Sequence, residues 1–515
     1  MSNLNKKFSR WFVAPWHPVL LTVYPILALL GHNIGEVEID AAYRSLIVGI
    51  ILTILVLVLL SLLLHNWRKA AAVLAMIIVL FFFYGHLYNY LHDIGPVMLV
   101  RHRYLFSLLL VLIGVLVWGT IKSKADFIET TTWLNIFSIL MLVFPIYQIV
   151  SYEIRSGNEI RNVPAETIVS PANSATDNMP DVYYIILDAY GRSDILQKEL
   201  NFDNTEFLDN LRSLGFYVAD CAQSNYAKTA ISLGSSLNIN YLQGLTTEGL
   251  TFETRFSPAW ALIRNNAVME EFKRLGYKTV AFETGYSWTE FKDSTVYLAP
   301  SGGAAVGFET LLIRTSALLI LDDAGWLERF HYTPEAQKHD LVLYVLDQLD
   351  DSVPQIPGPK FVFVHLVIPH QPFVMGPNGE LSVVAPRTLN NEESYRRNDY
   401  ILGYTNQAAF ISRELPRVLD AIINQSSTPP VIIIQGDHGP ASNDPEVRMS
   451  ILNAYYFPNA DPAVYPKITP VNTFRVIFNT YFSAGLPILE DHSYFSQNDN
   501  VYEFQDVPNH CVSPQ

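Results

Sequence analysis

Residues 45–64, SLIVGIILTILVLVLLSLLL, run for 20 positions without a charged side chain. That is the length an α-helix needs to cross the hydrocarbon core of a bilayer, roughly 20 residues. Four further apolar stretches lie at about 16–33, 70–91, 104–121 and 133–152. Five such stretches in succession predict an N-terminal transmembrane domain of five helices over residues 1–154. The whole chain of 515 residues is 16% charged and 50% hydrophobic, against the roughly 25% charge of soluble domains. The apolar excess belongs to this first third.

Charge divides the chain in the same place. Residues 1–154 hold 10 Lys and Arg against 7 Asp and Glu, whereas the remainder holds 24 against 42. An acidic outer portion excludes wholesale nucleic-acid binding, which needs a basic face. Lys6, Lys7 and Arg10 precede the first stretch, Arg68 and Lys69 fill the second loop, and Lys122 and Lys124 the fourth. The first loop has Arg44 beside Glu36, Glu38 and Asp40, while Arg101 and Arg103 in the third run against the trend. The positive-inside bias places the N-terminus in the cytoplasm and, after five crossings, residues 155–515 outside a cell membrane. The first stretch reads as a retained signal-anchor, being long for a cleaved signal core. Few charges lie within the spans, which argues against an ion pathway. Cys221 and Cys511 are the two cysteines; so far apart in the chain, they are expected as free thiols, with a long-range disulfide as the alternative.

VPAETIVSPANSATDNMP at 163–180 has the Pro, Asn, Ser and Thr content of a linker, and 155–180 is assigned to it. Beyond it, apolar runs alternate with helical patterns: VYYIIL (182–187), TVAF (279–282), FVFVHLVI (361–368) and VIIIQ (431–435). Nearly continuous Val, Ile and aromatic runs suit strands buried on both faces. Residues 181–515 are therefore expected to form one α/β domain with a mainly parallel central sheet.

In such a sheet, ligands bind outside the carboxyl ends of the strands. VYYIIL runs into Asp188, FVFVHLVI into Pro369 and His370, and VIIIQ through Gly436 into Asp437, His438 and Gly439. Carboxylate oxygens and imidazole nitrogens gathered at one sheet edge are ligands for Zn²⁺ or Mn²⁺. Taken singly, each is as well explained as a cap or turn residue; together they point to a metal centre.

These segments carry a resemblance. PDVYYIILDAYGRSD (180–194) resembles the opening strand and metal-binding acid of the alkaline phosphatase/sulfatase superfamily. VIIIQGDHGP (431–440) resembles its late Asp-His metal motif, IPHQPF (368–373) its His-x-Pro-aromatic segment, and NYAKTAISLGSSLN (225–238) its nucleophile segment. The resemblance covers roughly 180–485. With a multi-helix anchor in front, it is to the branch containing lipoteichoic acid synthase and the phosphoethanolamine transferases. It implies a divalent metal, Mn²⁺ or Zn²⁺, held by Asp188, Thr229, Asp437 and His438, with Thr229 as nucleophile and His370 as the second catalytic residue. It also implies a membrane lipid donor, an envelope glycan or lipid acceptor, and a Thr-linked intermediate. Asp188 stands where that branch tends to carry Glu. No Cys/Ser-x-Pro-x-Arg context surrounds Thr229, which sets the chain apart from sulfatases.

Other readings stay open on the sequence. Thr229 is also a plain helix cap, and Ser232 is a rival nucleophile. His370 suits phosphate binding, protonation of a leaving group or a second metal. His365 is expected to pack in the core, His492 to be structural, Arg192 and Asp194 to pair or to touch phosphate, and Tyr190 and Tyr286 to pack or to line a headgroup pocket. A phosphodiesterase or sulfuric ester hydrolase of the same fold is the nearest alternative. A non-catalytic, polymer-binding envelope protein is the alternative of another class.

Overall fold

The computed structural model describes residues 13–34, 37, 39–94, 101–162, 179–246, 255–300, 305–384 and 397–512. Most of the expected linker, 163–178, lies outside the described residues. The chain forms two compact units, residues 1–155 with 304–334, and residues 156–303 with 335–515.

The first unit contains α1 (His17–His32), α2 (Tyr43–Leu64), α3 (Trp67–Ile94), α4 (His102–Lys122) and α5 (Ile128–Asn162). The stretches α2 to α5 are long and apolar enough to cross a membrane. The fifth expected span, α1, is shorter at 16 residues, or about 24 Å against a core of about 30 Å. Prolines at 18 and 25 sit within it. Large apolar side chains point outward along the longer helices, among them Leu62 at 68% and Leu108 at 66% exposure, as lipid-facing helices require. Residues 304–334 pack with this unit although the sequence assigns them to the outer domain. The reason is apolar burial: Phe308 is enclosed with Ile26, Leu30, Ala41 and Ala42.

The second unit is built on β1 (Val182–Leu187), β2 (Tyr217–Val218), β3 (Lys278–Phe282), β4 (Val296–Leu298), β5 (Lys360–Leu366), β6 (Phe373–Met375), β7 (Leu381–Val384), β8 (Val431–Gln435) and β9 (Asn453–Tyr456). Seven of them form one sheet in the order β2-β9-β8-β1-β5-β3-β4. The strands from β8 to β4 are parallel, and β9 and β2 add antiparallel pairings at one edge. The expected α/β architecture is thus the observed one. Alternate residues of each central strand feed opposite layers: Tyr184, Phe363 and Ile433 one hydrophobic cluster, Tyr183, Val364 and Ile432 the other. Period-2 side chains buried on both faces explain the continuous apolar runs.

Two interactions secure this unit. Lys360 and Asp181, both buried, pair at the amino ends of β5 and β1, and Asp181 Oδ1 also accepts the Lys360 N–H at 3.0 Å. Cys221 and Cys511 form a disulfide across 290 positions, with Cα atoms 5.4 Å apart. This corrects the expectation of free thiols. The tail folds back, and Asn509 donates to the Cys221 carbonyl at 2.7 Å; nothing local in the sequence encodes that return.

Replacing Asp181 by Ala would strand the Lys360 ammonium in the interior. Breaking one side of a buried pair costs about 3–5 kcal/mol. Hydrogen exchange on the full chain should show the β1 and β5 amides losing protection by that amount. Unchanged protection would mean the pair contributes nothing.

Candidate metal centre

Register brings the chemistry together. Leu187 of β1 pairs with Leu366 of β5, and Ile186 with Gln435 of β8, all in parallel. The three carboxyl ends therefore open onto one edge, where Asp188, His370 and Asp437–His438 follow. Two glycines let the backbones close in. A Cβ at Gly436 would lie 2.4 Å from the Tyr190 carbonyl oxygen, and one at Gly439 would lie 2.3 Å from that of Val447. Ala189 takes a left-handed conformation, φ 68°, unfavourable for an L-residue with a side chain. It is held there from both sides: its N–H donates to Asp437 Oδ1 at 3.0 Å, and its carbonyl accepts from Tyr404 at 2.8 Å.

The resulting cluster is almost dry. Asp188, Asp437 and His438 are buried at 1%, 0% and 0% exposure. His438 Nδ1 donates to the Gly439 carbonyl at 2.9 Å, so Nε2 faces the cluster with its lone pair. Around Nε2 lie Thr229 Oγ1 at 3.0 Å, Asp437 Oδ2 at 3.4 Å and Asp188 Oδ1 at 3.5 Å. Those two carboxylate oxygens are buried without a hydrogen-bond partner among the described residues. A tetrahedral ion bound at about 2.0–2.1 Å has ligand–ligand edges of about 3.3 Å, close to these separations. The residues present therefore fit a divalent cation. His370 offers a further ligand atom within 4.8 Å of those of Asp188 and His438.

Electrostatics point the same way. Burial, followed by the neighbouring Asp188 carboxylate, pushes the Asp437 carboxyl up to about 7. Burial opposes the Asp188 charge too, but His370, a hydrogen bond from His365 and His438 outweigh it and hold that carboxyl below its usual range. Burial, and then Arg448, drives His438 well below the ordinary imidazole value. Burial also lowers His370, with the Asp188 charge resisting and Lys338 assisting. Burial raises Asp437 and lowers both imidazoles, the shifts expected where ionised groups are crowded with little water to offset them.

Thr229 opens the helix Thr229–Leu237. The first turn of a helix directs N–H groups without intrahelical partners toward whatever lies ahead of it. Ser232 donates to the Asp437 carbonyl at 2.7 Å, so its hydroxyl is occupied in joining this helix to the metal loop. His370 Nδ1 donates to the Gln371 carbonyl at 2.7 Å, leaving Nε2 as an acceptor. Its own N–H donates to the Asp188 carbonyl at 3.1 Å.

Several residues stand elsewhere than sequence reasoning expected, or went unnoticed by it. His365, expected in the core, is buried there but also sets Nε2 3.3 Å from Asp188 Oδ2. Lys338 donates to the carbonyls of His370 and Pro372 at 2.7 and 2.9 Å, and burial lowers it to about 7 against the pull of Asp188. Gln407 donates to the same His370 carbonyl at 3.0 Å. Arg448 donates to the carbonyls of Ala227 and Gly439, at 2.9 and 3.3 Å, binding the segment before Thr229 to the one after His438. None of the three lies in a local pattern that marks it, since their partners are backbone oxygens distant in sequence. Arg192 forms a two-pronged pair with Asp194 at 2.7 and 2.9 Å and donates to the Ala222 carbonyl. Tyr190 is fully buried, its hydroxyl 2.7 Å from Ser412 Oγ. His492 lies among Glu490, Asp506 and Tyr494, apart from the cluster.

Metal content is the direct check. The full chain purified in Zn²⁺ or Mn²⁺ and analysed by mass spectrometry for metals should retain a bound ion, lose it in Asp437→Asn, and keep it in His492→Gln. His365→Gln should weaken binding about 10–100-fold, the usual cost of losing an outer hydrogen-bond partner of a ligand. Equal metal content in wild type and Asp437→Asn would remove Asp437 from the site.

No protein-family profile matches the chain, and no curated protein matches it. Among solved structures, it is similar to the C-terminal periplasmic domain of EcEptC from Escherichia coli, in complex with Zn. The two are 11% identical over 67% of this chain and 96% of that one, with a TM-score of 0.42. It is similar also to the integral membrane protein lipooligosaccharide phosphoethanolamine transferase A from Neisseria meningitidis, at 14% identity, 86% and 87% coverage and a TM-score of 0.36. A protein in the alkaline phosphatase superfamily from Vibrio parahaemolyticus aligns at 9% identity, 67% and 80% coverage and a TM-score of 0.38.

Proposed function

We propose that the protein is a membrane-anchored, metal-dependent transferase of the alkaline phosphatase/sulfatase superfamily. It moves a phospho-alcohol headgroup, of phosphoethanolamine or phosphoglycerol type, from a phospholipid to an envelope glycan or lipid. The observation that carries this reading is the Thr229 hydroxyl, 3.0 Å from His438 Nε2 and beside two buried carboxylates, at the start of a helix.

A free threonine hydroxyl is a weak nucleophile. Asp188, Asp437, His438 and Thr229 would hold the divalent ion, which lowers the pKa of a bound hydroxyl and offsets charge on phosphoryl oxygens. Thr229 Oγ1 attacks the phosphorus, and the bond from phosphorus to the diacylglycerol oxygen breaks in line. The Thr229 proton passes to His370 Nε2, which returns it to the departing oxygen. The product is diacylglycerol, with the headgroup linked to Thr229 as a phosphodiester. In the second step an acceptor hydroxyl gives its proton to His370 and attacks the phosphorus, the bond from phosphorus to Thr229 Oγ1 breaks, and His370 passes that proton to Oγ1, restoring the threonine hydroxyl. The amino end of the Thr229 helix would face the phosphoryl oxygens. Arg448 and Ser232 keep that helix and the metal loop at a set distance.

The same reading places residues 181–515, apart from the 304–334 excursion, outside the cell membrane. The loop-charge bias supports this, and so does the Cys221–Cys511 disulfide, a bond that persists in oxidising compartments.

Intact-mass analysis tests the intermediate. The full chain in detergent, loaded with Zn²⁺ or Mn²⁺ and given mixed phospholipids, should gain the mass of one headgroup phosphate. Thr229→Ala should gain none. The size of the increment identifies the headgroup. Release of free headgroup phosphate by water as fast as transfer would assign a hydrolase instead. No adduct and no turnover from metal-loaded wild type would overturn the catalytic reading.

A further inference from the structure

Residues 305–332 leave the outer-domain sequence to pack with the membrane helices, and they are held there by charge. Arg44, at the start of α2, pairs with Glu309 through Nε at 2.5 Å and Nη2 at 2.6 Å, and Tyr332 closes the group. His102, which opens α4, has Nε2 2.6 Å from Asp323 Oδ2 and Nδ1 2.8 Å from the Tyr84 hydroxyl. Tyr88 stacks on the His102 ring at 4.0 Å. Backbone meets backbone as well. The Ala317 N–H donates to the Phe81 carbonyl at 2.8 Å, and a Cβ at Gly85 would fall 2.4 Å from the Thr315 carbonyl carbon. The segment is thus seated across one end of the bundle, where α2 and α4 begin.

Among the described residues, four large apolar side chains of this segment stay exposed. Leu318, Leu321, Trp326 and Phe330 are 38%, 41%, 55% and 67% exposed, three, five and four residues apart, with the left-handed turn at Gly325 among them. The level at which they lie is set by the clamps. Tyr43 and Tyr104, next in sequence to Arg44 and near His102, are each more than half exposed, and the outward-facing apolar rows of Ile47 and Leu108 start just beyond them. Tyrosines at the ends of apolar helices mark the headgroup level of a bilayer. Short helices with Trp, Phe and Leu on one side lie in that plane with the apolar face in the acyl boundary.

We infer that residues 305–332 form a monotopic seat in the lipid headgroup region, with Leu318, Leu321, Trp326 and Phe330 entering the acyl boundary beside α2 and α4. The occupant of the uncovered face is the bilayer already bounded by those helices. This inference is independent of the catalytic reading.

Spin labelling tests it cleanly, because the chain has two cysteines and they are bonded to each other. Trp326→Cys, Phe330→Cys and Leu321→Cys, each labelled with a nitroxide, are placed in the full chain in nanodiscs of phosphatidylethanolamine and phosphatidylglycerol. Collision with oxygen is compared with collision with a water-soluble nickel chelate. Labels at Leu108→Cys and Asp209→Cys supply the lipid and water references. The oxygen-to-nickel ratio at 326, 330 and 321 should be several-fold above that at 209 and below that at 108. A ratio equal to that at 209 would place the segment in water and overturn the inference. Exclusion of both reagents would assign the face to a protein partner and overturn it equally. Three positions guard against one label disturbing its surroundings.

Discussion

The carboxylates of Asp188 and Asp437 are buried together around His438 Nε2, each with an oxygen lacking a hydrogen-bond partner among the described residues. Desolvating two like charges at such range is unfavourable unless something positive intervenes. The fold nonetheless forces them together, because each terminates a strand whose register is fixed along its length by two buried faces. The Asp181–Lys360 pair fastens the same strands at the opposite edge. Such a cluster, held by a stable sheet, has the oxygen and nitrogen donors that a divalent cation requires.

Much of this was legible in the sequence, for a definite reason. Parallel strands buried on both faces write themselves as unbroken Val, Ile and aromatic runs, so the residues just past each run could be assigned to one sheet edge. Asp188, His370, Asp437 and His438 were found that way, and Thr229 by its resemblance to a nucleophile segment. Residues that act through the backbone left no such trace. Lys338, Gln407 and Arg448 bind carbonyl oxygens whose positions exist only after folding. His365 has the sequence position of a core residue, inside a strand, and it is buried; its contact with Asp188 depends on which strand lies alongside. The disulfide and the 304–334 excursion escaped for a related reason, since both join segments far apart in the chain.

The short first helix shows a different limit. Hydropathy alone groups α1 with its four longer neighbours, yet at 16 residues it falls short of a bilayer core and carries two prolines. Length along the axis, not apolar character, separates a span from a packed helix. Without a crossing by α1, the outer position of the α/β unit rests on Arg68 and Lys69 before α3 and Lys122 and Lys124 before α5, basic loops that put the residues after α5 on the opposite side. The disulfide adds a line of support that does not depend on counting crossings.

The choice between two hydroxyls on one helix shows how the site assigns roles. Thr229 and Ser232 lie three residues apart, hence on neighbouring turns of the same face. Ser232 donates to the Asp437 carbonyl, which occupies its hydroxyl proton and pins the helix to the Asp437–His438 loop. Arg448 repeats the connection from the other side, through Ala227 and Gly439. The backbone on both flanks of Thr229 is thereby tied to the Asp437–Gly439 segment, which keeps its hydroxyl within reach of His438. In the proposed mechanism Thr229 receives a phosphoryl group and then releases it to a second acceptor, a role that needs such a fixed position. Any displacement during the lifetime of the intermediate would misalign the second in-line attack.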